Sequence, residues 1–157
     1  MRALTSKLLP HAAQGLALRI DGDTIYASGF REDVDLETLK KEVTDNWLEM
    51  ARQEALLLVR DGKEEKAKQL KPVDFDNLLA KLQLGRIKPD EQQRLNDYYD
   101  ALDELEREAK ALLQKLEKAK SVEELNKIPW PEWVGWQALP LRSKLEVEQT
   151  YPEVSNK

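Results

Sequence analysis

The sequence predicts a mainly α fold: one long heptad-patterned helix with a helical hairpin, a small N-terminal β-hairpin and an extended, strand-like C-terminal tail. The first observation behind this lies between Pro89 and Lys120. Apolar residues there recur at Leu95, Tyr98, Leu102, Leu105, Ala109, Leu112, Leu116 and Ala119, in alternating steps of three and four. That is a heptad seam, with Leu95, Leu102, Ala109 and Leu116 at a and the others at d. The second is an alternating run from Leu16 to Phe30, broken by Asp21-Gly22-Asp23, which reads as a hairpin. The third is a switch to period two from Leu139, where Leu139, Leu141, Leu145, Val147 and Tyr151 share one parity and Arg142, Lys144, Glu146 and Glu148 the other. The segments divide as 1–34 with the β-hairpin, 35–128 as a helical domain and 129–157 as the tail.

Composition supports long solvated helices. Of 157 residues, 41% are apolar and 35% charged, and mean hydropathy is −0.67. The net charge is −5 and the two signs are interleaved, so no basic stripe suits a nucleic-acid backbone. The absence of cysteine removes disulfides and thiolate metal sites. Met1 to Pro10 holds no apolar run of signal-peptide length, and no stretch approaches a membrane span.

In chain order, Leu4, Leu8 and Leu9 suggest one helical turn before Pro10. His11, the only histidine, then falls in a loop with no carboxylate or thiol cluster nearby in sequence. Asp21 and Asp23 lack the ligand spacing of a calcium loop and read as a turn. A helix begins at Asp33 or Asp35, with Leu36, Leu39, Val43, Trp47, Met50 and Leu57 or Leu58 on one face and Gly62 as its stop. Lys63 to Lys71 mixes charges and reads as a solvated helix or linker.

Asp74 or Asp76 opens a short leucine-rich helix ended at Leu84-Gly85-Arg86, and Pro89 opens the heptad helix. A DNA-binding helix-turn-helix is disfavoured because the second helix starts Asp90-Glu91. Tyr99 and Leu113 widen the seam at e. The seam pairs either with the Leu36–Arg60 helix of the same chain or with further copies in a homo-oligomer, with Glu106, Glu108, Lys115 and Lys120 at its flanks.

Ser121 and Glu124 form a capping box, so the chain turns after Lys120. Trp130, Trp133 and Trp136 follow, held between prolines; they either fold back on the helices or dock on a partner. The strand from Leu139 to Tyr151 completes a sheet with the hairpin or adds to a sheet edge elsewhere. The partner-binding residues expected from this reading are Trp130, Trp133, Trp136, Leu139, Leu141, Leu145, Val147 and Tyr151. No nucleophile–base pair, phosphate loop or metal spacing occurs, and the carboxylates sit on polar helix faces and caps. The reading is therefore of a protein that is no enzyme and has no cofactor.

One further pattern spans about a third of the chain. Leu78-Leu79 and Leu82-Gln83-Leu84-Gly85-Arg86-Ile87 lead to Asp90-Glu91, with Leu95, Tyr98, Tyr99, Ala101 and Leu102, and later Ile128-Pro129-Trp130-Pro131. In these residues the segment 78–131 resembles the tail fibre assembly proteins of tailed bacteriophages. Asp100 stands where that family usually carries a basic residue, and the chain continues past Pro131, where members usually end. The resemblance implies a chaperone that binds the distal part of a trimeric tail fibre protein and promotes its assembly in the host cytoplasm. The alternatives are a permanent component of the virion tail that oligomerises through its coiled-coil helix, or a generic coiled-coil adaptor.

Overall fold

A computed structural model describes residues 1–148. They form mainly α structure with a three-stranded sheet, and their contacts divide into two compact units. One unit comprises Met1–Leu57, Lys118–Ile128 and the chain from Gln137; the other comprises Leu58–Glu117 and Pro129–Trp136. This division cuts across the segments 1–34, 35–128 and 129–157, because residues distant in sequence return to each unit.

The first unit is built on the sheet. Strand β1 (Ala12–Asp21) pairs antiparallel with β2 (Thr24–Phe30), with Ile20 opposite Ile25 and Asp21 opposite Thr24. Gly22 takes a φ of 63° in the tight turn, a conformation glycine adopts without a Cβ penalty. The register shifts between Ala12 and Ala17, a bulge that accommodates Gly15 at a φ of 60°. The tail supplies β3 (Lys144–Val147), parallel to β2, with Ile25 opposite Leu145 and Ala27 opposite Val147. β2 is thus central, and Ile25 and Ala27 are buried.

Helices α1 (Arg2–Leu8) and α2 (Leu36–Asp45) add Leu4, Leu8, Leu39 and Val43 to this core. Asp35 caps α2 by accepting from the Thr38 amide at 3.2 Å. The helix expected to run on to Arg60 breaks instead at Asn46, whose side chain donates to the Glu42 carbonyl at 2.9 Å, and α3 (Trp47–Leu70) follows. A side chain that hydrogen-bonds its own helix backbone offers the chain an alternative to helical continuation. Trp47, Met50, Ala51 and Ala55 are buried in this unit, together with Glu54, whose carboxylate accepts from the Ala3 amide at 3.1 Å.

The second unit is a helical hairpin. Gly62 does not stop α3, which carries the Lys63–Lys71 stretch as helix to Leu70. Helix α4 (Phe75–Gln83) leads to α5 (Pro89–Lys118), whose 30 residues extend about 45 Å. Lys63 of α3 is ion-paired with Glu106, and Phe75, further along, meets Tyr98. Contacts thus step backwards along α5 as the chain advances, and the pairing is antiparallel. The turn after α4 is a Schellman motif: the Arg86 amide donates to Lys81 O at 2.8 Å, the Gly85 amide to Leu82 O at 3.1 Å, and Gly85 has a φ of 68°.

After α5 comes α6 (Val122–Lys127), in the first unit, whose Glu124 amide donates to Ser121 Oγ at 3.1 Å as the capping box anticipates. A short 3-10 turn, Glu132–Val134, follows.

Candidate protein-interaction site

The seam is covered within one chain. Leu95, Leu105, Ala109, Leu112, Leu116 and Ala119 are buried, and Tyr98 and Leu102 are half-buried. An apolar stripe already filled by its own chain has no free face for a coiled-coil partner. Within the chain, the Lys63–Glu106 ion pair sets α3 beside α5. Ala119 itself lies just beyond the end of α5, where its carbonyl accepts from Arg52. Of the flanking charges, Glu106 pairs with Lys63, and Glu108 accepts from Trp133 Nε1 at 2.6 Å.

The tryptophans expected to dock on a partner fold back within the second unit. All three are half-buried. Trp133 lies against Gly62, where a Cβ would collide with its main-chain oxygen. That close approach, rather than a helix stop, is what Gly62 provides. Trp130 and Trp136 stack with ring centroids 4.9 Å apart and planes at 23°.

The tail is also occupied, in the first unit. Asn126 grips Leu139 in both directions, donating to its carbonyl at 2.8 Å and accepting from its amide at 3.0 Å. The Trp47 indole donates to Pro140 O at 2.7 Å, and Thr44 Oγ1 to Ser143 O at 3.3 Å. These side-chain bonds replace ladder bonds where Pro140 has no N–H to offer. The expected strand is accordingly only four residues long. Leu145 is buried, Leu139 and Val147 are half-buried, and Leu141 is exposed. Tyr151 lies outside the described residues.

Exposed apolar residues stand at both ends of α4. Val73 stands wholly in solvent, Leu84 is 66% exposed and Leu82 42%. The frame beneath them is tied at both ends of α4. Arg94 forms a bidentate pair with Asp74 at 3.0 and 2.5 Å. Lys81 Nζ donates to Glu91 at 2.6 Å, and the other Glu91 oxygen accepts from the Lys88 amide at 3.1 Å. The Lys81 bond first, then the Lys88 amide, hold the Glu91 carboxyl below its ordinary range. The Arg94 bond lowers Asp74 likewise.

Inside this frame Leu78 and Leu95 are fully buried. Phe75 meets Tyr98 edge-on at 5.3 Å, and Lys71 sits 4.9 Å from the Phe75 ring centre. Apolar side chains held on a fixed frame lose little freedom when a partner covers them. The sequence pointed elsewhere for recognition, although Leu82 and Leu84, flanking the end of a capped helix, carried the signal for an exposed apolar edge.

A shallow pocket of about 210 Å³ in the first unit brings His11 beside Arg31, Asp33, Asp35 and Glu42. Its charged groups are engaged: Arg31 donates to Pro10 O at 2.8 Å and to Asp33 at 3.1 Å, and Thr38 occupies the Asp35 carboxylate. Among the described residues, no group of three or more His, Cys, Asp or Glu is placed to hold a metal ion, and no helix is long and apolar enough to cross a membrane. No protein-family model matches the chain, and no curated protein or solved structure matches it significantly.

Proposed function

We propose that this chain is a non-catalytic assembly factor for a bacteriophage tail fibre protein, and that it holds the fibre protein through the α4 end of its hairpin. The reading starts from the resemblance of residues 78–131 to tail fibre assembly proteins. The observation that carries it further is that Leu82 and Leu84, two of the residues that bear the resemblance, are exposed on a frame fixed by the Asp74–Arg94 and Lys81–Glu91 pairs. Val73 is exposed just before the other end of the same helix, α4. A fibre subunit presents apolar surface until it trimerises, and a partner that covers that surface suppresses aggregation without any chemical step. The work belongs to the host cytoplasm while fibres are being made. Burial of most of the seam within the chain favours this reading over a permanent tail component that oligomerises through the seam.

The test is co-expression with the cognate fibre protein and capture through a tag on this chain. The variant Leu82→Ser/Leu84→Asp is expected to keep its helical circular dichroism while fibre capture falls at least tenfold, as it does when anchor residues are removed. Undiminished capture by that variant would overturn the assignment of the site.

A further inference from the structure

Helix α5 carries a second stripe beside the covered seam. Tyr99, Asp103, Glu106, Lys110 and Leu113 follow one another in steps of four, three, four and three, so they lie along one line of the helix surface. Every one of them is exposed, including the two large apolar residues, Tyr99 at 43% and Leu113 at 37%. Neither Asp103 nor Lys110 has an ion pair among the described residues, whereas Glu106 is held by Lys63. The two apolar residues are symmetric about Glu106, seven positions away on either side, and the charged ones nearly so: an acid three positions before it and a base four positions after it.

A stripe of this kind is complementary to itself when two copies run antiparallel. Tyr99 of one copy then faces Leu113 of the other, Asp103 faces Lys110, and both contacts occur twice about a two-fold axis at Glu106. Each Asp103 then lies within one residue of the other copy's Lys110, while a parallel arrangement would set Asp103 on Asp103 and Lys110 on Lys110. We propose that this face binds a second copy of the chain in an antiparallel, two-fold symmetric dimer. The two Lys63–Glu106 pairs meet at its centre, each neutralised within its own copy, so the axis carries no uncompensated charge.

The stripe is one helix face wide. It buries less than the roughly 800 Å² per partner of a standard stable interface, so the dimer is weak, with a dissociation constant on the order of tens of micromolar. Its two ion pairs are exposed and screened by salt, so association weakens as ionic strength rises. The dimer uses neither Leu82 nor Leu84, so it stands independently of the proposed fibre contact.

Sedimentation equilibrium of the full chain over a concentration series at low salt measures the association directly. Lys110→Asp places like charges opposite each other twice and is expected to weaken the dimer about five- to tenfold. Asp103→Lys/Lys110→Asp restores opposite charges and is expected to recover it. Because the chain has no cysteine, orientation is read by oxidative crosslinking. A mixture of Tyr99→Cys and Leu113→Cys chains is expected to crosslink, and either variant alone is not. A monomer at all concentrations up to about 500 μM, association unchanged by Lys110→Asp, or equal crosslinking of the single variants would each overturn the proposal. Circular dichroism of each variant separates loss of association from loss of folding.

Discussion

Two returning segments close the two units in different ways. The tail reaches the sheet of the first unit as β3 and buries Leu145 completely, with Ile25 opposite it on the central strand. The tryptophan segment reaches the hairpin of the second unit and stays half-buried, with contacts that include the Trp133 indole bond to Glu108, a close approach to Gly62 and the Trp130–Trp136 stack. The strand therefore acts as part of a core, and the tryptophans act as a cover. A core element stabilises through buried area and packing, and its loss is felt throughout its unit. A cover stabilises through a few specific contacts whose loss stays local.

The largest expected effect follows from the first mode. Leu145→Ala removes a fully buried side chain and is expected to cost about 3 kcal/mol, by the range for leucine truncations in cores. Hydrogen exchange should then show lost protection in β2 and β3, while residues 89–117 stay protected. Equal loss in both regions would erase the distinction between core and cover.

A smaller effect tests the cover. Helix propensity alone predicts that Gly62→Ala gains up to about 1 kcal/mol in a helix interior. The Trp133 main-chain oxygen stands where the new Cβ must go, so a net loss of about 1–2 kcal/mol is expected instead, the range for overpacking. Urea denaturation gives the sign, and a gain in stability would show that the tryptophan segment does not press on α3. Trp133→Phe keeps an aromatic ring but removes the N–H donor to Glu108 together with the rest of the five-membered ring. A loss of about 1 kcal/mol is expected, with no change in protection of the sheet.

The sequence showed local features well and long-range ones poorly. The Asp21–Asp23 turn, the Ser121 cap and the Pro89 start are written in neighbouring residues, and each stands where its pattern placed it. Whether the seam would be filled from within or by another copy depends on which face α3 offers, and periodicity holds no information about that. Gly62 misled because a glycine that stops a helix and one that admits a neighbouring backbone look alike until Trp133, 71 positions further on, is in place. The break at Asn46 was hidden for a related reason: the apolar spacing continues across it. The α4 end became visible as a candidate site only once the exposure of Leu82 and Leu84 was known, which the sequence pattern does not give.

The smallest expected effect concerns charge, and it separates the hairpin frame from the cover above it. Asp74 and Glu91 have carboxyl groups held below their ordinary values of 3.8 and 4.5, chiefly by the Arg94 and Lys81 hydrogen bonds. A carboxylate whose value is lowered on folding adds stability that is fully present above the unfolded value and is lost as pH falls through the folded one. Stability of the second unit should therefore be flat above about pH 5 and decline as pH drops below 4.5. Glu91→Gln keeps the shape but loses the charge, so it should flatten that decline while lowering stability at pH 7. Trp133→Phe leaves both ion pairs in place, so its pH profile should run parallel to that of the parent chain. A decline that persists unchanged in Glu91→Gln/Asp74→Asn would move the acid sensitivity of the hairpin to other carboxylates and leave its α4 end held by packing alone.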